Sequence, residues 1–235
     1  MDPIIIITPC SRPENLKSIW QSFSTSPKDM TIYWYIHFDA SKVDKKTVED
    51  TFIFLNQKLI TYFPHIRLIY RHETYQGKSI GGHGQRNQAL DLIQNSISLN
   101  NSYIYILDDD NILHPDLLPV IRDYIEYKTQ CKGFIFSQIY DAESTSEPHK
   151  WKYLIRMANP EFVKPCYIDT AQYLIHTDLI GSTRVEADNF NGDGKFIQEI
   201  YKKDPSKFTF LTQPLCYYNS LNPEKQWVKL WRKYT

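Results

Sequence analysis

Short apolar runs alternate with longer amphipathic segments through the first half of the chain. The runs are rich in β-branched and aromatic residues and cover 4–7, 31–38, 66–70, 103–107 and 133–140. Continuous apolar runs of this length are typical of strands buried on both faces of a parallel sheet. The segments between them predict helices over 15–23, 43–62, 85–94 and 115–127. Strands that alternate with helices predict an α/β fold with a mostly parallel central sheet flanked by helices.

The second half of the chain has a less regular pattern. It predicts strands over 152–156, 173–176, 208–211 and 215–218 and a helix over 194–202. The sequence contains no internal repeat, low-complexity tract or flexible linker. We therefore expect a single domain over residues 1–235.

Composition excludes several classes of protein. Hydrophobic residues make up 42% and charged residues 23% of the 235 residues, which is ordinary globular usage. The 27 basic and 27 acidic residues give no net charge, so no general positive field attracts nucleic acid, and we expect no nucleic-acid partner. The four cysteines show no zinc-binding spacing. Without a signal or membrane-spanning pattern, we expect a cytoplasmic protein.

Acidic residues follow two of the predicted strands directly. Asp39 ends one run, and Asp108, Asp109 and Asp110 end another. Ligands of open α/β sheets bind beyond the carboxyl ends of the strands. Adjacent carboxylates repel one another, whereas Mg²⁺ or Mn²⁺ would bind them and share its coordination with substrate phosphates. The triplet therefore indicates a metal–diphosphate site or, alternatively, a loop in which Asp110 or Asn111 caps the next helix.

Five segments resemble glycosyltransferase motifs, and they follow one another along the chain in the same order as those motifs. Residues 106–111, Ile-Leu-Asp-Asp-Asp-Asn, resemble the DxD segment of GT-A enzymes. Residues 7–13 resemble the Thr-Pro-Thr-Tyr-x-Arg-Pro motif of the glucuronyltransferase family, and 84–90 resemble its Glu-Gln-Arg-Asn-x-Ala-Leu helix. Residues 168–173 and 191–194 are more similar to bacterial and viral family 2 enzymes. The resemblance implies a small inverting enzyme with the Rossmann-like GT-A fold.

The same resemblance implies a role for individual residues. Asp110 and Asp108 would hold Mn²⁺ or Mg²⁺, while Asp39 would read the nucleotide base and Arg86 would face the diphosphate. The implied nucleotide-sugar-binding residues are Thr8, Pro9, Arg12, Asp39, Arg86, Asp108, Asp109 and Asp169. The nucleotide-binding half would cover about 1–112 and the acceptor-binding half about 113–235.

Asp193 is the candidate general base. An inverting transfer needs a basic group near the acceptor hydroxyl, opposite the leaving diphosphate. The alternative is an ordinary turn, since Asp193 stands between two glycines. Glu186 and Asp188 are the nearby competitors for the role.

Two segments depart from the glucuronyltransferase pattern. Cys10 and Ser11 stand where that family has the tyrosine that stacks on uracil, which weakens the case for uridine. Tyr217, Tyr218 and Asn219 stand where it has Trp-His-Thr. The Glu-Ser-Ser sequence that holds that family's base is absent, so the candidate base depends on the family 2 likeness.

The aromatic and basic tail over 223–234 has two interpretations. It either docks its tryptophans on the core, which we favour for so short a stretch, or makes peripheral contact with a membrane. We expect a glycosyltransferase with a UDP-sugar donor, a metal cofactor and a glycan or lipid-linked acceptor. The alternatives are a nucleotidyltransferase and a non-catalytic nucleotide-sugar-binding module.

Overall fold

The computed structural model describes residues 1–128, 130–144 and 151–221. The tail over 223–234 lies outside them. Within these ranges, no helix has the length and apolar character needed to cross a membrane.

Helices and strands alternate through the first half, as the pattern predicts. The strands are β1 (Ile4–Cys10), β2 (Ile32–Asp39), β3 (Ile66–Glu73), β4 (Tyr103–Ile106), β5 (Gly133–Ser144), β6 (Trp151–Arg156), β7 (Tyr173–His176) and β8 (Phe208–Tyr217). The helices are α1 (Leu16–Ile19), α2 (Lys45–Tyr62), α3 (His83–Gln94), α4 (Leu117–Tyr127), α5 (Thr177–Ile180) and α6 (Gly192–Lys203).

The eight strands form one mixed sheet in the order β3-β2-β1-β4-β7-β5-β6, with β8 paired to β5. Strands β1 to β4 pair in parallel, and so do β5 and β8. Strand β7 runs antiparallel to β4 and β5, and β6 runs antiparallel to β5. The predicted α/β fold with a mostly parallel sheet is confirmed.

The first strand shows why its sequence is a continuous isoleucine run. Ile4 and Ile6 belong to the core on one face of the sheet, with Trp34, and α2 and α4 contribute to that core. Ile5 and Ile7 belong to the core on the opposite face, where α3 and α6 pack. Because both faces are covered, every position of β1 is buried.

Two predicted elements differ from the structure. The helix expected over 15–23 shortens to α1, followed by a 3-10 turn over Trp20–Thr25. Two serine hydroxyls here donate to backbone carbonyls three residues earlier, which competes with a regular helix: Ser22 to Ile19 and Ser26 to Phe23. The two short strands at 208–211 and 215–218 are one strand, β8, with a register shift at Pro214. Proline has no N–H to donate, so the irregularity accommodates it.

Candidate active site

A cleft of 530 Å³ opens where the carboxyl ends of β1, β2 and β4 meet. Every predicted site residue except Thr8 lines it. Thr8 is fully buried, and its hydroxyl accepts a hydrogen bond of 3.0 Å from the indole nitrogen of Trp34. The expectation that Thr8 lines the nucleotide pocket is therefore wrong. The side chain points into the core because residues alternate between the two faces of a strand.

Asp109 holds the loop that follows β1. Its carboxylate accepts hydrogen bonds from the backbone N–H of Ser11 at 2.6 Å and of Arg12 at 2.8 Å, and from Arg12 Nε at 2.9 Å. Arg12 Nη2 is a further ion-pair partner. Both carboxylate oxygens of Asp109 are thus engaged, and the residue is only 3% exposed. This bond network shapes the loop. Asp109 also lines the cleft, and its predicted role in binding the nucleotide sugar stays a prediction.

Arg86 lies in the first turns of α3 with its guanidinium at the cleft floor. The side chain is 4% exposed, and Nη2 lies 2.5 Å from Oδ1 of Asp108. Burial alone would lower the pKa of Arg86, but the charge of Asp108 raises it, so the guanidinium stays charged. Arg86 Nε has no hydrogen-bond partner among the residues described. A buried donor without a partner indicates a place for a ligand atom or a water molecule.

Among the described residues, the Asp110 carboxylate pairs with Arg12 but, unlike that of Asp109, accepts no hydrogen bond from a backbone N–H. Burial, and then the charge of Asp108, raise its pKa to about 6 although Arg12 Nη2 lies 3.2 Å away. The capping alternative is wrong: α4 is preceded by Asp116, and Asn111 instead accepts a hydrogen bond from the Ser220 backbone.

The residues present fit a hard divalent cation only in part. Asp108 and Asp110 offer carboxylate oxygens to the cleft, the ligand type that Mg²⁺ and Mn²⁺ prefer. No group of three or more His, Cys, Asp or Glu side chains in the described ranges is arranged to hold a metal ion. Mg²⁺ commonly binds to one or two carboxylates and completes its coordination with substrate phosphates and water. The pair therefore fits an ion that arrives together with a diphosphate.

Asp39 is the last residue of β2, and it lines the cleft. Its carboxylate accepts hydrogen bonds from the Ser41 backbone at 3.0 Å and hydroxyl at 2.6 Å, and Lys42 Nζ lies 3.5 Å away. Burial raises the pKa of Asp39, but Ser41 and Lys42 together bring it below the ordinary value. This carboxylate is held in its charged form.

Asp169 and Asp193 line the same cleft, near enough to Asp108 and Arg86 for those charges to affect their pKa values. Asp169 Oδ1 accepts from the Ala171 backbone at 2.9 Å and from Gln138 Nε2 at 3.3 Å, and burial raises its pKa to about 6. Asp193 stands in the first turn of α6, and burial raises its pKa as well. Asp193 belongs to a helix start, so the alternative of an isolated Gly-Asp-Gly turn is wrong. Neither competing acid, Glu186 or Asp188, lines the cleft.

The sequence did not predict a set of contacts that connects α3 and the turn before it to residues 185–187. His83, the first residue of α3, lies with Nδ1 3.2 Å from the carbonyl oxygen of Glu186. Asn87 exchanges two hydrogen bonds with the backbone of Val185, at 2.8 and 2.9 Å. Ile80 N–H donates to the carbonyl of Ala187 at 2.8 Å. These three contacts, which we call the α3 clasp, hold the segment before Asp193 against the helix that carries Arg86.

The only local signal for the clasp is the glycine-rich sequence before α3. Gly82 adopts a left-handed φ of +78°, and a Cβ atom there would lie 2.9 Å from Cβ of Pro9. Glycine thus lets the turn before α3 rest directly on β1 and brings His83 into the cleft wall. His83 is 4% exposed, and burial lowers the pKa of its imidazole, so the ring is neutral at pH 7.

Comparison with known proteins gives the fold. No protein-family model and no curated protein matches the chain. Solved structures of S. aureus TarS residues 1–349 do match, at a TM-score of 0.63 and 11% identity over 93% of this chain and 60% of that one. The complex with UDP-GlcNAc matches at 0.61 and 14% over 93% and 58%, and the UDP complex at 0.62 and 12% over 92% and 60%. This chain therefore spans about three fifths of those structures. The likeness establishes the GT-A-like α/β fold.

Proposed function

We propose that the protein is a metal-dependent, inverting glycosyltransferase. It would move a sugar from a nucleotide-diphosphate sugar, with UDP as the expected nucleotide, to a hydroxyl group of a glycan or lipid-linked acceptor. The observation that supports this most is the convergence of Arg86, Asp108, Asp110 and Asp193 on one cleft at the strand ends of a GT-A-like fold. The neighbour TarS has been solved with UDP-GlcNAc and with UDP.

The donor would occupy the end of the cleft nearest β1 and β2. Asp39 and the loop held by Asp109 form the wall against which the nucleoside would lie. Arg86 would face the diphosphate, because a buried guanidinium with a free Nε–H matches phosphate geometry. Asp110 and Asp108 would hold Mn²⁺ or Mg²⁺, which when bound neutralises charge on the departing diphosphate.

Asp193 would act on the acceptor. A carboxylate with a raised pKa accepts a proton more readily, which suits a general base near neutral pH. As Asp193 takes the hydroxyl proton, the acceptor oxygen forms its bond to the anomeric carbon and the bond to the diphosphate breaks. Attack from the side opposite the leaving group inverts the configuration of that carbon.

A thermal-shift panel tests the nucleotide and the metal together. UDP, GDP, CDP and dTDP are each added at about a hundred times their dissociation constant, with and without Mn²⁺. Binding at that level adds ~2.7 kcal/mol, which raises the melting temperature by roughly 5–10 °C for a chain of this size. We expect a shift with UDP that requires Mn²⁺, and its loss in Asp110→Asn.

The controls separate the alternatives. Asp116→Asn changes an exposed acid just before α4 and should leave the shift intact. No shift with any nucleotide overturns the proposal, and an equal shift without Mn²⁺ overturns its metal dependence. Nucleotide binding without turnover of any UDP-sugar favours the non-catalytic binding module. Release of diphosphate from a nucleoside triphosphate favours the nucleotidyltransferase.

A further inference from the structure

The place of the transferred sugar follows from the proposed function, on which this inference rests. The diphosphate would face Arg86, and the base would be Asp193, so the sugar must lie between them. That part of the cleft is lined by Asp108, Asp169 and Asp193 together with Arg86. The charges and hydrogen-bonding groups of these side chains therefore decide which sugar fits.

Negative charge is in excess at this subsite. Asp108 is paired with Arg86. Asp169 and Asp193 make no ion pair with a cation in the described part of the chain, and the hydrogen bonds that they accept there come from neutral amides. Arg156 also lines the cleft, with its guanidinium 5.0 Å from the ring centre of Tyr140. Even if Arg156 is counted, three carboxylates face two guanidinium groups.

Two hydrogen-bond donors at this subsite are also buried without a partner in the described part of the chain. Arg86 Nε and the hydroxyl of Tyr173 are buried and have no hydrogen-bond partner among the described residues. Burial, and then the charge of Asp193, raise the pKa of Tyr173, so its O–H remains a donor. A sugar hydroxyl can accept from such a donor and give its own proton to a carboxylate, which satisfies both groups at once.

We infer that the transferred sugar is uncharged, a hexose or an N-acetylhexosamine, and that Asp169 makes this subsite select against uronic acids. A carboxylate on the sugar would lie among carboxylates in a partly buried site, where like charges repel strongly. The resemblance of 7–13 and 84–90 to glucuronyltransferase motifs leads to the opposite expectation, so the two can be separated by experiment.

The test compares donors that differ only at C6. Binding of UDP-glucose and UDP-glucuronic acid, and of UDP-galactose and UDP-galacturonic acid, is measured by calorimetry with saturating Mn²⁺, with UDP as the reference. We expect the neutral member of at least one pair to bind about tenfold more tightly or better, and neither uronate to bind more tightly than its partner. Equal binding within both pairs, or tighter binding of either uronate than of its neutral partner, overturns the inference. If UDP itself does not bind, the proposed function fails instead.

Variants locate the source of the selectivity. Asp169→Asn removes one negative charge and keeps the oxygen that accepts from Ala171, so the ratio of affinities should fall several-fold toward one. Asp193→Asn, at the start of α6, should reduce the ratio in the same direction if Asp169→Asn does not fold. Asp116→Asn, whose side chain is 58% exposed, should leave the ratio unchanged. An unchanged ratio in Asp169→Asn overturns the role of this carboxylate.

Discussion

The carboxylates at the two ends of the cleft lie in opposite environments: those at the donor end are ion-paired, and those at the acceptor end have no ion-pair partner among the described residues. At the donor end, Asp39 lies beside Lys42, Asp108 beside Arg86 and Asp109 beside Arg12. At the acceptor end, Asp169 and Asp193 have raised pKa values, and the hydrogen bonds that they accept from described residues come from neutral donors. The lowered pKa of Asp39 keeps this carboxylate charged, and Asp109 holds the loop after β1 in place. Unpaired carboxylates keep proton affinity, which is what a base needs. Asp110, with a pKa of about 6, is the exception at the donor end, where we propose the metal.

The largest effect should come from Asp193→Asn. The amide cannot take the acceptor proton, so kcat should fall by about 10²–10⁴, the usual contribution of a general base. Binding of UDP should change little, because we place the nucleoside against Asp39 and the loop held by Asp109 rather than against Asp193. UDP release measures turnover, and calorimetry measures binding.

Glu186→Gln provides the matched control for the base. Glu186 is seven residues earlier, is ion-paired with Lys195 at 2.9 Å and does not line the cleft. Its variant should retain nearly full turnover. If both variants lose activity to the same extent, Asp193 is not the base.

Asp109→Asn tests whether the ion-paired carboxylate of Asp109, at the donor end of the cleft, anchors the loop after β1. The amide places N–H groups against donors on Ser11 and Arg12 and leaves the Arg12 charge without its partner. Loss of one partner of a buried network should lower the free energy of unfolding by about 2–4 kcal/mol. Asp123→Asn removes an exposed partner of Arg122 and should cost less than about 1 kcal/mol. Urea unfolding at pH 7 compares them, and equal losses would contradict an anchoring role for Asp109.

The positions of the ion-paired carboxylates at the donor end could largely be predicted from the sequence. Carboxyl ends of parallel strands meet at one edge of a sheet, so Asp39 and the triplet had to lie near each other once their strands were identified. The anchoring role of Asp109 could not be predicted, since its partners lie 97 and 98 residues away. Thr8 was misplaced for a related reason: the motif gives its position in the chain, whereas strand alternation decides which face it takes.

The acceptor end depended more on tertiary contacts. Asp169 and Asp193 were found by resemblance, but their raised pKa values come from burial, which no local sequence encodes. The α3 clasp joins residues about 100 positions apart, and only the glycines before α3 hint at a close approach there. Tyr173 was predicted as a strand residue, and its unpartnered hydroxyl is visible only in the fold.

Opposite signs of stability change should distinguish the two ends. Asp169 has a pKa of about 6 in the folded state against 3.8 ordinarily, so keeping it charged destabilises the fold above pH 6 and costs nothing below pH 3.8. Asp169→Asn should therefore raise the free energy of unfolding by about 2 kcal/mol at pH 8, with the gain vanishing toward pH 4. Asp39 has a lowered pKa, so Asp39→Asn should lower stability at pH 8. Changes of the same sign in urea unfolding would refute the contrast.

The smallest effect should come from the α3 clasp, which links the two ends. A carbonyl oxygen only accepts, so Nδ1 of His83 carries the proton that bonds to Glu186. His83→Ala removes this bond and lets the segment before Asp193 move, which should lower kcat about tenfold with little change in the donor KM.

Conservative variants of His83 separate positioning from direct chemistry. Asparagine can place an amide N–H where Nδ1 lies, so His83→Asn should recover most of the lost rate. Glutamine reaches instead toward the position of Nε2, so His83→Gln should recover little. His72 is the control, because its imidazole also bonds to a backbone carbonyl, that of Val43 at 2.8 Å, but does not line the cleft. His72→Ala should leave kcat unchanged. Recovery by glutamine alone would mean that His83 acts through Nε2 in the cleft and that the base is positioned by the other two contacts of the clasp.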